Sequence, residues 1–543
     1  MDLKERNPLS EKDIPDRIQE SENPRQMVHN LSGEDFFWLV KKAEEDNYLP
    51  LLELASEEQW QYLLDLEIWR KDRLDLTRAS HWLKELDLAD PKRLVRWLLS
   101  EGKNLFCYYL FKGIQLRIKE EDEVFEVPDG FFTLDGIFFI KALDNDHKET
   151  IESMLRILAG EDLALYQNLL IGLSGILPGE MEEEMYRLRN VRLAEHGFLP
   201  FEDALSIYAP LALESLKVEY PAKTPDIFFD EETNTQSPVL PFFYARGHNL
   251  LTETVSRIRD PLLSERVRLE FAGLCNQILL ADGLMVEEAS DLIRTCRKAA
   301  GYLNLGLEKA CGSDIAAVEQ VIRKNFLLPV FRVGFGLALG LKWEAERWIK
   351  NSWFSRQGFD FSFWGDNWGA TLAGLVEKKP RFYVGLNKDS DVYKEFENLS
   401  ELEDCRSLVS RLAVLDKMLE RMAALYPLDE EIIDNSRQTC HRLIFNPWAR
   451  KLLKLEPGFS SISVKQEQEF FRYVRTESEA PPYRMSGFEQ VFIKDFMAYA
   501  YGLELEESAN LKDILSLIWE EFREEYERVS IIDLDERFLG FFR

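Results

Sequence analysis

The sequence has few cysteines, and none of them are paired at a metal-binding or redox spacing. The six cysteines are scattered over 543 residues without a C-x-x-C, and the six histidines are equally dispersed without an H-E-x-x-H. Isolated core or surface residues therefore account for these side chains better than a zinc site does. No cofactor is predicted.

Glycine-rich nucleotide loops and serine-hydrolase motifs are missing as well. The sequence contains no G-x-x-x-x-G-K-[ST] and no G-x-S-x-G. The series Gly334, Gly336 and Gly340 differs from the dinucleotide fingerprint by one residue and lies in an apolar run that suits helix packing. These absences argue against nucleotide binding by a familiar loop and against a standard serine hydrolase.

Basic runs are also lacking, and acidic residues dominate. The 97 acidic and 67 basic side chains give a formal net charge of −30. Nucleic acids and anionic membrane surfaces attract clustered lysine and arginine, so neither partner is predicted. The polar start of the chain has no signal segment, and together with the scattered cysteines this predicts a cytoplasmic protein.

No apolar run is long enough to suggest a membrane span. The longest stretch without a charged residue is Leu163–Gly179; it contains polar residues and closes on Pro178 and Gly179. This pattern favours a buried helix that ends at a breaker over a transmembrane helix. No membrane insertion is predicted.

What the sequence does contain is a series of short amphipathic helices from residue 32 to about residue 100. Candidate N-caps stand at Ser32, Ser56, Thr77 and Asp90, and the last of these is followed by proline at the first helical position. A short amphipathic helix cannot bury its apolar stripe alone. These helices are therefore expected to stack on one another.

A small β element is predicted to follow this series. Ile114–Ile118 and Val124–Val127 alternate apolar and polar residues, which predicts a hairpin, while Phe131–Ile140 fits either a third strand or a helix start. Helical periodicity then resumes. Helices are predicted over Glu180–Arg192, with an end at Gly197, over Leu408–Met422 and over Ile514–Phe522.

The predicted fold class is mainly α, with superhelix-like stacked short helices, a minor β-hairpin element and a larger helical domain. Residues 217–247 hold four prolines and a polar run without sustained periodicity, which predicts a linker. The predicted segments are a polar N-terminal arm over 1–31, the short-helix array with its small β element over 32–216, the proline-rich linker over 217–247 and the helical domain over 248–543.

The segment Ala281–Glu288 is the first candidate site, and its sequence has the form A-D-G-x-x-x-E-E. It resembles the helix-turn-helix signatures of tellurite-resistance-B-like domains, some of which bind metal ions, and this resemblance implies Asp282 and Glu287 as oxygen ligands. In the favoured interpretation the role is structural. Gly283 then ends one helix with a positive φ, and the glutamates stabilise the start of the next helix.

The second candidate is an arginine cluster in Tyr186–Arg192. Arg187, Arg189 and Arg192 lie within two helical turns, a spacing that suits the binding of a carboxylate or phosphate. The favoured interpretation is again structural, because Glu183 precedes Arg187 by four residues and can form a helix ion pair with it.

An aromatic run in the second half fits either a ligand pocket or a hydrophobic core. It comprises Phe359, Phe361, Phe363, Trp364 and Trp368. If a pocket exists, Asp366 and Asn367 mark it. A hydrophobic core is the favoured interpretation.

Three passages together resemble a family of uncharacterised bacterial proteins that is classed as a domain of unknown function. They are Phe132–Gly136, Arg187–Pro200 with its continuation Glu202–Tyr208, and Gly301–Glu308. This resemblance implies no activity. The short-helix array, about Ser32–Ser100, also resembles the acidic helical superhelix of MgtE-type magnesium transporters and flagellar motor-switch modules, although the transporter's membrane part has no counterpart here.

The function that the sequence favours is that of a non-enzymatic, acidic cytoplasmic scaffold or regulatory protein, with another protein as its partner. The alternative is an enzyme, or a protein that binds a small ligand or metal, with a pocket in the C-terminal helical domain around Asp282, Trp364 and Asp366. A deep pocket with convergent carboxylates favours the alternative, and an exposed apolar surface favours the scaffold. The oligomeric state is not predicted.

Overall fold

The structure is a computed structural model that confirms the mainly α fold class. Among the described residues it contains 24 α-helices and a few short strands. The described residues are 18, 21–43, 48–119, 129–144, 147–199, 201–217, 238–245, 247, 249–284, 286–385, 392–426, 428, 438–475, 481–485, 487–534 and 540–542.

The chain divides into two compact units. The first comprises residues 1–209, 214–303 and 313–331, and the second comprises 210–213, 304–312 and 332–543. Much of the predicted linker, residues 218–237, and most of the predicted N-terminal arm lie outside the described residues. The domain boundaries drawn from the sequence therefore stay predictions.

The first unit holds the predicted short-helix array. Up to residue 113 its elements are α1 (Pro24–His29), α2 (Gly33–Lys42), α3 (Leu49–Leu54), α4 (Glu57–Glu67), β1 (Trp69–Arg70), β2 (Arg73–Leu74), α5 (Leu76–Ala89), α6 (Pro91–Leu99) and α7 (Lys103–Gly113). Helix α2 packs on α4, α3 packs on α5, and α5, α6 and α7 pack in succession. Their apolar stripes bury large side chains that include Phe36, Trp60, Trp97 and Phe106.

Three of the four predicted N-caps in this array are confirmed. Ser32 accepts a hydrogen bond from the Asp35 amide, Ser56 forms a capping box with Gln59, and Asp90 caps α6 ahead of its proline. The prediction for Thr77 is wrong. Asp75 caps α5 instead, because its carboxylate accepts from the amides of Thr77 and Arg78 at 3.1 Å.

The β element is a three-stranded antiparallel sheet in the order β3 (Ile114–Ile118), β5 (Phe138–Ala142) and β4 (Phe132–Thr133). Strand β3 pairs with β5. The predicted hairpin partner, Val124–Val127, lies outside the described residues. For Phe131–Ile140 the sequence leaves a third strand or a helix start open; the segment contributes to two strands, because Asp135 accepts from the amides of Ile137 and Phe138 and makes a turn between them.

The rest of the first unit is helical. It contains α8 (Lys148–Glu161), α9 (Leu163–Gly172), α10 (Pro178–Glu195), α11 (Phe201–Leu205), α12 (Leu240–Tyr244), α13 (Leu250–Arg257), α14 (Pro261–Asp282), the first part of α15 (Ala289–Cys311), α16 (Ile315–Lys324) and the start of α17 (Leu327–Asn351). Helix α10 covers the predicted helix over Glu180–Arg192, and Gly197 takes a φ of 80° just beyond its end, as predicted.

A sharp corner separates α16 from α17, and two side chains of α14 hold it. Arg266 donates to the carbonyls of Ile322 and Arg323 at the end of α16. Glu270 accepts from the Leu327 amide at the start of α17, at 2.8 Å. Across the described parts of the chain, no single helix is long and apolar enough to cross a membrane, although α16 and α17, bent by 118°, pass that test together.

The second unit is built on long helices around an aromatic core. After α17 it contains α18 (Trp353–Arg356), α19 (Asp366–Leu375), β6 (Phe382–Tyr383), β7 (Tyr393–Lys394), α20 (Leu399–Leu425), α21 (Cys440–Leu452), α22 (Val464–Val474), α23 (Phe488–Met497) and α24 (Leu505–Tyr526). Helices α20 and α24 confirm the predictions over Leu408–Met422 and Ile514–Phe522, and they pack on each other.

Candidate functional site

The predicted turn at Gly283 is confirmed. The two candidate metal ligands, one on each side of it, have different partners. Gly283 has a φ of 64° and ends α14. Asp282 accepts from the Tyr208 hydroxyl at 2.5 Å and pairs with the buried Lys298 ammonium at 3.1 Å. Glu287 is 74% exposed and lies 3.9 Å from an Arg78 nitrogen.

Metal binding by Asp282 and Glu287 stays a prediction. In the described part of the chain, no group of three or more His, Cys, Asp or Glu side chains is placed to hold a metal ion. The carboxylate that serves the start of α15 is Asp291, which accepts from the amides of Glu287 and Glu288 at 3.1 and 3.2 Å. The role that the sequence analysis assigns to Glu287 and Glu288, a favourable charge at the start of this helix, stays a prediction.

The three candidate anion-binding arginines, Arg187, Arg189 and Arg192, all lie on α10, and each has a protein partner. Arg192 binds the Asp65 carboxylate of α4 through two hydrogen bonds of 2.7 and 2.8 Å, and Arg189 donates to the Asp65 carbonyl at 2.6 Å. Burial lowers the pKa of Arg189. Arg189 and Arg192 therefore dock α10 on α4, and anion binding stays a prediction.

The ion pair predicted for Arg187 has a different partner. Arg187 bonds Glu184, three residues earlier, at 2.8 and 2.9 Å, rather than Glu183. Both spacings bring side chains together on a helix, so periodicity alone does not choose between the two glutamates.

A small cavity of about 50 Å³ opens beside Arg192 in the first unit. Its lining includes Asp65, Trp69, Trp97 and Glu101. The Asp65 carboxylate, its buried acidic group, already accepts hydrogen bonds from Arg192 and Gln61. The charge at this cavity therefore serves helix packing.

A larger open cavity of about 460 Å³ lies in the second unit, and the sequence analysis gives no signal for it. The polar side chains in its lining include Glu344, Arg347, Lys417 and Glu420. Asp416 also lines it, and its two carboxylate oxygens accept from the amides of Trp353 and Phe354 at 2.7 and 2.9 Å, which caps α18. Burial raises the pKa of Asp416 to about 6.

Asp416 predicts a pH-dependent difference in stability between the wild-type chain and Asp416→Asn. Because its pKa rises from 3.8 in the unfolded chain to about 6 in the folded one, the folded state holds the proton more tightly between these values. As pH rises from about 4.5 to 6, wild type is expected to lose about 1–2 kcal/mol of unfolding free energy relative to the variant. Urea denaturation of both proteins across this pH range measures the difference, and a constant difference contradicts the prediction.

The aromatic run over Phe359–Trp368 contributes to a hydrophobic core. Phe363 and Trp364 are buried, and their rings pack against each other and against Phe354. Asp366, the predicted pocket marker, is exposed at the start of α19. The core interpretation is confirmed for Phe363 and Trp364.

Helix α9 exposes apolar side chains that were predicted to be buried. Its inner side is buried through Tyr166 and Leu170, and α9 packs on α8. Four other apolar side chains in and just beyond the helix are 39–61% exposed: Leu163, Leu165, Ile171 and Leu177. These four residues are called the α9 surface below.

The α9 surface is uncharged between acidic borders. The segment Leu163–Gly179 has no charged residue, whereas Glu161 and Asp162 before it and Glu180 and Glu183 after it are exposed. A hydrogen bond of 2.9 Å from the Gln167 amide group to Asp135 ties the helix to the β4–β5 turn. The sequence signal for this surface is the uncharged run itself, which predicts a buried helix, and that prediction is wrong for these four side chains.

A comparison with protein families identifies the chain. A family model described as a family of unknown function, DUF6178, matches residues 4–543. The chain belongs to this family. Membership in DUF6178 confirms the resemblance to a domain of unknown function, but the resemblance to MgtE-type modules is not confirmed. Searches of curated proteins and of solved structures find no match to this DUF6178 chain.

Proposed function

We propose that this DUF6178 protein is a non-enzymatic cytoplasmic scaffold or regulatory protein that binds another protein through the α9 surface. The observation that carries the proposal is the exposure of four apolar side chains on one uncharged segment of a chain with a net charge of −30. Exposed apolar patches bordered by polar residues are typical of protein–protein interaction sites. Charged residues are also depleted at interface cores.

The borders of the α9 surface indicate the chemistry of its partner. The apolar centre favours a partner that presents apolar side chains, and the acidic borders favour lysine or arginine around them. Because the bordering charges remain in contact with solvent, they are expected to affect the association rate and its dependence on salt more than they affect the affinity.

The double variant Leu165→Glu/Ile171→Glu tests this proposal. Both side chains are exposed, so the fold is expected to persist, while two charges within the α9 surface are expected to remove binding. We expect affinity purification from the source cells, quantified by mass spectrometry, to recover a partner with wild type and at least about tenfold less of it with the variant.

The matched control is Leu262→Glu, which places the same charge at an exposed leucine of α14 in the same unit. This control is expected to retain the partner at the wild-type level. If the double variant recovers the same proteins as wild type and the control, the α9 surface is not the binding site.

A second proposed function is small-ligand binding at the Asp416 cavity of the second unit. Its support is a buried carboxylate with a raised pKa beside an open cavity of about 460 Å³. A ligand that binds there raises the melting temperature of wild type and not that of Asp416→Asn.

Addition of millimolar Mg²⁺ or Ca²⁺ to the same assay tests metal binding at Asp282 and Glu287, with Asp282→Asn as the control.

A further inference from the structure

Two of the six cysteines face each other across a pair of helices. Cys275 lies on α14 and Cys296 on α15, and their Sγ atoms are 3.7 Å apart. Both are free thiols, with 5% and 1% of their surfaces exposed. The sequence places these cysteines 21 residues apart and gives no indication of their contact.

The same two helices are held in register by a buried ion pair. Asp282 lies two helical turns after Cys275 on the same side of α14. Its carboxylate binds Lys298, which is two residues after Cys296 on α15, at 3.1 Å. The contact between the thiols therefore belongs to a fixed arrangement of α14 and α15.

We propose that Cys275 and Cys296 are a redox-sensitive pair that a peroxide converts to a disulfide between α14 and α15. Disulfides that form in reducing compartments are usually transient, and redox sensing is one of their uses. The S–S bond of about 2.05 Å requires the two sulfurs to approach by roughly 1.7 Å. This modification is separate from protein binding at the α9 surface.

The reaction has two steps and consumes one peroxide. The sulfur of Cys275, the more exposed thiol, attacks a peroxide oxygen; an S–O bond forms, the O–O bond breaks, and a sulfenic acid and water result. The Cys296 sulfur then attacks the sulfenic sulfur and its proton passes to the departing hydroxyl group, so that an S–S bond forms, the S–O bond breaks, and a second water leaves. The two thiols lose two protons and two electrons, and the peroxide is reduced to two waters.

Burial supports this order of attack. It raises the pKa of the Cys296 thiol, so this group gives up its proton less readily and reacts slowly with free oxidant. The sulfenic acid on Cys275 forms in direct contact with the Cys296 thiol, so the position of this thiol favours reaction with the sulfenic acid. The disulfide then encloses residues 276–295, including the Gly283 turn, in a covalent loop.

Peptide mapping of the oxidised full-length chain tests the proposal. The reduced protein is treated with hydrogen peroxide under native conditions, alkylated after denaturation and digested. We expect one peptide pair joined through Cys275 and Cys296, lighter by two hydrogens (about 2 Da) and separated again by dithiothreitol. Cys296→Ser is expected to leave Cys275 as a sulfenic acid that a dimedone probe traps.

Cys107 and Cys311, which are more exposed, serve as internal controls in the same digest. If these two are oxidised while Cys275 and Cys296 are both recovered as alkylated thiols, the proposal is wrong. Disulfides that join either cysteine to another position also overturn it. The decisive measurement uses the wild-type chain, so the result does not depend on whether the serine variant folds.

Discussion

Phe522→Ala is expected to lower the free energy of unfolding of the second unit by about 3–5 kcal/mol. Phe522 is fully buried on α24. Its ring stacks on Phe445 at 4.3 Å and on Phe471 at 5.8 Å between centroids, and it lies 5.4 Å from Trp519 and 5.0 Å from Tyr526. Removing the ring leaves a cavity that these large, mutually packed side chains cannot fill by a small shift.

The control for Phe522 is Leu505→Ala on the same helix. Leu505 is 91% exposed, so its truncation is expected to change stability by less than about 0.5 kcal/mol. Urea denaturation followed by circular dichroism, with hydrogen exchange of the α24 amides, measures both variants. Equal unfolding midpoints for the two would show that Phe522 is not central to this core.

Arg93→Ala is expected to destabilise the helix array of the first unit by about 2–4 kcal/mol. The buried guanidinium of Arg93 donates to the carbonyls of Leu52 and Ala55 at the end of α3, at 2.9 and 2.8 Å. It also stacks 3.7 Å above the Trp60 ring. Alanine removes the hydrogen bonds that Arg93 donates to these carbonyls and its packing on the indole. Burial lowers the pKa of Arg93 without removing its charge at neutral pH.

Two further variants separate the causes of this loss. Arg93→Met keeps much of the side-chain volume without donors, so it is expected to recover only the packing part. Arg96→Ala removes an exposed arginine from the same helix and is expected to cost less than about 0.5 kcal/mol. Hydrogen exchange of α3 and α6 provides the local measurement. An effect of Arg96→Ala as large as that of Arg93→Ala would contradict the assigned role.

Helix starts could be predicted from the sequence because the atoms that form them are close along the chain. Ser32, Ser56 and Asp90 each cap an amide three residues ahead. The wrong cap, Thr77, shows the limit of this reasoning. Asp75 stands two residues earlier with a stronger acceptor, and it starts the helix sooner.

Candidate site residues were harder to judge because their partners are distant in the sequence. Arg189 and Arg192 are recognisable as a cluster, but their partner Asp65 is more than 120 residues away. The uncharged run in α9 is equally visible, yet its exposure depends on where α8 and the small sheet pack. Sequence periodicity indicates that a helix has an apolar side, but it does not show whether another element of the fold buries that side.

The chain's own residue pattern was sufficient for the mainly helical class, most helix starts in the array, the glycine that ends α14 and the negative charge. Each follows from composition or from contacts within one or two helical turns. Packing between helices decides the remaining features. These are the docking of α10 on α4, the exposed apolar side chains of α9, the carboxylate of Asp416 beneath α18 and the facing thiols of Cys275 and Cys296. No local interaction encodes these contacts, because they exist only once apolar surfaces from separate parts of the chain have been buried together.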